Sequence, residues 1–548
     1  MRKTIICLAL AAMLLTTGAA FAAEGYTLPV VENPGDVTIR LAVTDFPSIE
    51  DWNTNEFVNW WKEQTNLDFE FELIPLEGRA EKLSLILASG DYPDAFMSVG
   101  LSDAMMTRYG VSEGMFLPLN DLIEQYGVGI KKVFENYPGS EGLITQLDGN
   151  IYSLPTVNEC YHCTVSDKFW INKAWLDNLG LSEPTTTDEL YDVLVAFRDN
   201  DANGNGDPSD ELPLTGTYID GWGSTPDMFL MSAFTFYPLY LDVRQTTSQL
   251  AFGLYVEDGT VTTPFFKPET KDGLKYIAKL YEEGLIYPGT FTQNLNTLTQ
   301  LAEGGVVGAS PSGYIMFAEM GGEKYREFEA LTPITGPNGY RSQNSYPHDS
   351  VAGHYFFISA DSKVAAEAFR AADLLYDFEA SMRAYYGVKG VDWNEADEGS
   401  VGINGLPALY KILTPWQETK PQNQHVVQMS ITYRDAAFRL GEPSDPNIDL
   451  YSPEGLETLL YKTSAEQYKP YVFDEKIIPP LKFTDEEVDG MSVIKTELSS
   501  AIREGMTAFM TGARDADAEF DGWVAELQAN GLDKLVGYYQ SAYDAQYK

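Results

Sequence analysis

Between Val37 and Gly90 the chain alternates two hydrophobic periods, and that alternation restricts what it can fold into. VTIRLAVTD (37–45) is β-branched and extended in pattern, and TNEFVNWWKEQTN (54–66) follows with apolar residues at helical spacing behind a capping residue. FEFELIPL then reads as a second strand, and RAEKLSLILASG as a second helix stopped at Gly90. A β-α-β opening of this kind predicts an α/β fold whose parallel or mixed sheet is covered by helices. From Met491 onward the pattern changes: MSVIKTELSSAIREGMTAFMTG and the segment from Asp515 to Lys548 keep helical spacing with almost no strand signal, and read as terminal packing helices.

The chain has 548 residues, 44% hydrophobic and 22% charged, more than one ordinary core serves, so two or more lobes are expected. Its formal net charge of −44 disfavours nucleic-acid backbones and anionic membrane surfaces as partners. The first 22 residues have the form of a signal peptide: a basic start with Arg2 and Lys3, the apolar run IICLALAAMLL, and the small-x-small site Ala20-Phe21-Ala22. Cleavage leaves a mature chain beginning near Ala23. No cysteine stands directly after the apolar run and Cys7 lies too early for lipidation, so the expectation is an exported protein, periplasmic or freely released, without a lipid anchor. No later apolar stretch reaches the roughly 20 residues of a membrane helix.

One loop asks for a ligand. The helix PTTTDELYDVLVAFRDN (184–200) feeds DANGNGDPSDE, which places Asp201, Asn203 and Asn205 at positions one, three and five of an EF-hand-type calcium loop. Gly206 stands at the sharp turn and Asp207 where a backbone carbonyl serves. Position twelve, normally a bidentate glutamate, is Leu212, so the closing carboxylate must come from Asp210 or Glu211. Acidic groups crowded into one loop repel unless a cation sits among them. A solvated Asn/Asp/Gly turn is the plainer alternative.

ECYHC supplies the cysteine pair that export leaves, Cys160 and Cys163. In an oxidising compartment this pattern reads as a local structural disulfide; thioredoxin-like redox chemistry is disfavoured because a strand, VSDKFWIN, follows rather than a helix, and a Cys/His metal site is a further alternative.

The order of several segments is similar to a known family. LASGDYPDAFM (87–97), FLPLNDLIEQYG (116–127), DGNIYSLP (148–155), the long run Trp170 to Leu214, GLIYPGTFTQN (284–294), YYGVKGVDW (385–393) and the terminal FMTGARDADAEFDGWVAELQANGLDKLVGYYQSAYD span nearly the whole mature chain. Together they resemble the extracellular solute-binding proteins of ABC sugar importers, in the large lipoprotein-LplA-like and alginate-oligosaccharide-binding branch. The resemblance implies a bilobed periplasmic-binding-protein fold with a ligand cleft between two α/β lobes, hinge closure, a membrane permease as partner, and a monomer. It implies a structural calcium ion held by Asp201, Asn203, Asn205, Asp207 through its carbonyl, Asp210 and Glu211; this chain has one residue more than the family's usual spacing before the Asp-Glu pair. The expected organisation is a first lobe of residues 23–155 and 331–390 and a second of 156–330 and 391–548.

Sugar recognition needs aromatic platforms and hydrogen-bonding edges. Aromatics make up 13% of the chain, with 33 Tyr and 9 Trp. Those in loops are the expected ligand contacts: Trp52 after the first strand, Trp222 in DGWGS and Trp393 after the YYGVKG turn, followed by Asn53, Asn55, Tyr346, His354 and Trp416. Trp60, Trp61, Trp175 and Trp523 lie on apparent helix faces and are expected to pack. No GxSxG, HExxH or phosphate-cradling GxxxxGK[ST] is present, which leaves a secreted carbohydrate hydrolase acting through a carboxylate pair as the enzymatic alternative.

Overall fold

A computed structural model describes residues 25–241, 249–343, 350–414, 421–427, 429–445 and 447–548. The signal peptide, Tyr346 and Trp416 lie outside the described residues. The strands among them are β1 (Thr38–Asp45), β2 (Asp68–Pro75), β3 (Ala95–Met97), β4 (Ser153–Asn158), β5 (Phe169–Asn172), β6 (Tyr255–Glu257), β7 (Thr260–Thr262), β8 (Ala309–Pro311), β9 (Phe328–Leu331), β10 (Val351–Ile358), β11 (Trp393–Glu395), β12 (Tyr410–Ile412) and β13 (Tyr433–Arg434).

The opening alternation supplies two strands, β1 and β2, of a mixed six-stranded sheet ordered β13-β4-β10-β3-β1-β2. β1 pairs parallel with both β2 and β3, as helical crossovers require, whereas β10 enters antiparallel between β3 and β4. β1 is covered on both faces: Leu41 and Val43 point into one cluster with Trp61, Phe356 and Val157, and Ala42 into another with Leu83, Phe96 and Phe357. The helix Glu56–Thr65 is set by Asn55, whose side chain accepts the Phe57 N–H, and ends at Asn66 in the left-handed conformation, φ 58°.

A second lobe surrounds the antiparallel sheet β8-β5-β9. Its core takes Phe169 and Ile171 from β5, Leu194 and Phe197 from the helix Thr187–Asp199, and the helical C-terminus through Ile502, Met506, Trp523 and Leu535. The long helix Asp485–Met510 begins at a capping box in which Thr484 and Glu487 satisfy each other's backbone N–H. Trp61, Trp175 and Trp523 are core residues, as their helical spacing predicts.

The two cores are not contiguous in sequence. The chain leaves the first lobe after Asn158, returns at Val351, and leaves again after Phe438 towards Leu459, which packs with Trp170 and Tyr325 of the second lobe. Val426, Ile431 and Tyr433 lie in the first core, whereas the helices from Asp485 onward lie in the second. Segments that pass between the lobes in this way are where a hinge is built.

Candidate functional site

The loop Asp201–Glu211 is anchored at both ends. Thr186 caps the preceding helix by accepting the Glu189 N–H, and Ala202, fully buried, plugs the loop into the second core while its carbonyl accepts from Asn178 Nδ2 at 3.1 Å. Gly204 and Gly206 adopt φ of 72° and 93°, where a side chain would be strained, and let the chain turn back on itself. Asn203 Oδ1 accepts the Asn205 N–H at 2.9 Å and Asn205 Oδ1 the Asp207 N–H at 2.7 Å, so both amides point to the inside of the turn. Their Nδ2 groups donate to the Asp210 carboxylate at 3.0 and 2.7 Å. Asp207 instead turns its side chain to Ser209, leaving its backbone for the loop.

Two carboxylate oxygens in this loop are buried with no hydrogen-bond partner. Asp201 accepts the Gly206 N–H through Oδ2 at 3.0 Å, and its Oδ1 is bare; Glu211 accepts the Ala202 N–H through Oε1 at 2.9 Å, and its Oε2 is bare. An unpaired buried polar atom costs about 1–3 kcal/mol. Burial pushes the Glu211 carboxyl pKa up, against the lowering effect of the backbone N–H groups around it. Leu212, at position twelve, is committed elsewhere: it bridges to Val307 and donates its N–H to Val306. The carboxylate that position twelve lacks is therefore offered one residue earlier by Glu211. Oxygen donors on Asp201, Asn203, Asn205, Asp210 and Glu211, with the Asp207 carbonyl, fit a hard cation such as Ca²⁺.

The residues expected at the ligand site fall in different surroundings. Trp52 is 2% exposed and packs on Phe71 in the first core. Asn53 is exposed and bonded to Asp51, while Asn55 is buried, capping its helix and donating Nδ2 to the His425 carbonyl at 3.0 Å. His354 sits on β10 at φ 61°, its Nδ1 2.8 Å from Ser153 Oγ and its Nε2 2.8 Å from Asp103, which Lys482 reaches from the second lobe at 3.4 Å. Trp393 is 1% exposed, enclosed by Met382, Tyr410 and Phe438, with Nε1 donating to the Gly387 carbonyl. Trp222 alone of the described tryptophans in this set is partly exposed, on the loop Thr217–Thr225 beside the segment that joins the lobes.

That joining segment carries a polar cluster which sequence reasoning missed. Cys160 and Cys163 are paired, with Cα atoms 5.2 Å apart, and hold Tyr161 and His162 between them. Tyr161 donates to the Glu457 carboxylate at 3.0 Å; His162 Nε2 lies 3.7 Å and Arg439 Nη1 3.3 Å from the other oxygen. Burial favours a raised Glu457 pKa, but hydrogen bonding to His162 and Tyr161 and the Arg439 charge hold it well below the usual range. Burial lowers the His162 pKa, keeping the ring neutral at physiological pH. Beneath them Lys168 donates to the carbonyls of His162 and Val165, its pKa lowered to about 7 by burial. ECYHC could have drawn attention to His162; Arg439 and Glu457 carry no local motif.

Two lobes built on separate sheets, joined by crossing segments and carrying an oxygen-rich cation loop, are the architecture of an extracytoplasmic binding protein. The chain belongs to the bacterial extracellular solute-binding protein family, which matches residues 43–380. It is a solute-binding protein rather than an enzyme, which removes the hydrolase alternative. It is 26% identical over 533 residues to the fructooligosaccharide ABC transporter substrate-binding protein FusA of Streptococcus pneumoniae, covering 95% of this chain and 92% of FusA. The structure of FusA in complex with kestose superposes with a TM-score of 0.75 at 26% identity, over 93% of this chain and 99% of that one. An EF-hand mutant of FusA in complex with fructo-nystose gives a TM-score of 0.75 at 25% identity over the same shares. No helix among the described residues is long and apolar enough to cross a membrane.

Proposed function

We propose that this protein captures an oligosaccharide between its lobes outside the cytoplasmic membrane and delivers it, closed, to the permease of an ABC importer. The observation that carries this reading is the match along nearly the full length of both chains to a protein solved with kestose. Trp222 supports it: a partly exposed indole beside the joining segment offers the flat apolar face that a sugar ring covers. Tyr161, Arg439 and Glu457 tie the joining segment to both lobes, so a ligand touching both sides biases closure through its differential affinity for the closed state. The reading includes a structural calcium ion at Asp201, Asn203, Asn205, Asp207, Asp210 and Glu211, an exported monomer, and a disulfide between Cys160 and Cys163.

Isothermal titration against fructo-, xylo- and alginate oligosaccharides tests it. Saturable binding of one class without release of shorter sugars is expected, weakened at least tenfold in Trp222→Ala. Failure of every oligosaccharide to bind, or steady cleavage of the one that does, refutes the reading.

A further inference from the structure

The loop that presents Trp222 is built from glycines whose missing side chains are each needed. Gly221 and Gly223 flank the indole at φ of 95° and 66°. A Cβ on Gly223 would stand 2.0 Å from the Ser166 carbonyl oxygen, so this loop lies directly on the segment joining the lobes. A third glycine, distant in sequence, completes the arrangement. Gly313, just after β8, donates its N–H to the Trp222 carbonyl at 2.7 Å. A Cβ there would fall 1.9 Å from Trp222 Cε3 and 2.3 Å from Cζ3, inside the indole itself.

The six-membered half of the indole therefore rests against bare backbone. His162 meets the ring at an interplanar angle of 67°, with centroids 6.0 Å apart, and Lys168 Nζ lies 5.8 Å from its centroid. Contacts from two segments, the one at Gly313 and the one that joins the lobes, fix the ring while part of it stays exposed. Packing alone does not call for this arrangement, because an indole with exposed surface gains less from burial than one sealed in a core. A sugar platform does call for it: a ring held rigidly before the ligand arrives loses no rotamer freedom on binding.

We infer that Gly313 is a positioning residue for saccharide binding, setting through its missing Cβ the depth and tilt of the Trp222 ring. The inference rests on the saccharide-binding reading and deepens it. In Gly313→Ala the ring must swing by more than an ångström, and a platform displaced that far no longer stacks on a sugar held by the rest of the cleft.

The test is a double-mutant cycle on the full-length protein, titrated with kestose, or with whichever oligosaccharide of the panel the wild type binds tightest. Gly313→Ala is expected to weaken binding at least tenfold while leaving calcium affinity within twofold. In a Trp222→Ala background the same change should alter affinity less than twofold, since no ring remains to displace. An equal loss in both backgrounds, or no loss in the wild-type background, overturns the inference while leaving the saccharide reading intact. Unchanged affinity in Trp222→Ala likewise overturns the inference alone, whereas a wild type that binds no member of the panel overturns both. Should Gly313→Ala fail to fold, recovery of folding by adding Trp222→Ala supports the ring contact, and failure to recover overturns it.

Discussion

Glu457 stands 3.3 Å from Arg439 Nη1, so a carboxylate at the start of a second-lobe helix holds the short helix Ala436–Leu440 that follows the first lobe's last strand. Removing one partner of such a pair leaves the other charge without compensation, at a cost of about 3–5 kcal/mol when fully buried. The Glu457 side chain is 27% exposed, which places the expected loss for Glu457→Gln nearer 2 kcal/mol, read as a lower denaturant midpoint. Because the Glu457 pKa is depressed in the folded state, its contribution is present above the unfolded value of about 4.3 and is lost as pH falls below it. Acid titration of the wild type against Glu457→Gln should show the variant losing less stability in that window.

Calcium should stabilise the protein. At a hundredfold excess over Kd a ligand of the folded state adds about 2.7 kcal/mol, so chelation should lower Tm by several degrees, and Asp201→Ala should remove the response. Glu211 gives the effect a pH dependence. Its pKa is raised in the folded state, so without metal its contribution favours the protein at low pH and is lost as pH rises through that raised value. Binding the cation requires the ionised form; calcium affinity should therefore fall on acidification, and Glu211→Gln should flatten the dependence.

His425 should make the first lobe acid-sensitive. Burial lowers its pKa to about 4, and its Nδ1 accepts the Val427 N–H at 3.2 Å, an arrangement only the unprotonated nitrogen supports. A depressed histidine is neutral when folded and charged when unfolded, so stability falls as pH drops below about 6.5 and levels off near 4. The total is on the order of 3 kcal/mol. His425→Asn should show a flatter profile between those limits in chemical denaturation.

Trp393 and Trp222 should separate into different roles. Trp393→Ala empties a cluster formed with Met382, Tyr410 and Phe438 and strands the Gly387 carbonyl, so it should cost about 3–5 kcal/mol of stability. Oligosaccharide affinity measured well below its Tm should change little. Trp222→Ala should do the reverse, with a small change in Tm and a large one in affinity.

These two tryptophans show where sequence reasoning stops. Both lie near glycines in segments without regular periodicity, and nothing local distinguishes them; what does is tertiary cover, Phe438 and Tyr410 closing over Trp393. The strand-helix alternation at Val37–Gly90, the helix before Asp201 and the terminal helices were legible because each depends on spacing within its own segment. Leu212 shows the same limit within the cation loop: which of Asp210 and Glu211 is buried depends on where Val307 lies, and that is a property of the fold. Asn55 was singled out for its chemistry, yet its position just before a helical run also marks it as a cap, and the structure uses it so.

The interleaving of the two lobes has a consequence for how the chain is made. β1 is synthesised early, but β10 inserts beside β3 only after β5, β8 and β9 of the second lobe have been translated, and β13 completes the sheet later still. A nascent chain therefore cannot close its first sheet while it is still short. Completing that sheet waits on Tyr433–Arg434, so most of the chain must be made before its first core can be sealed.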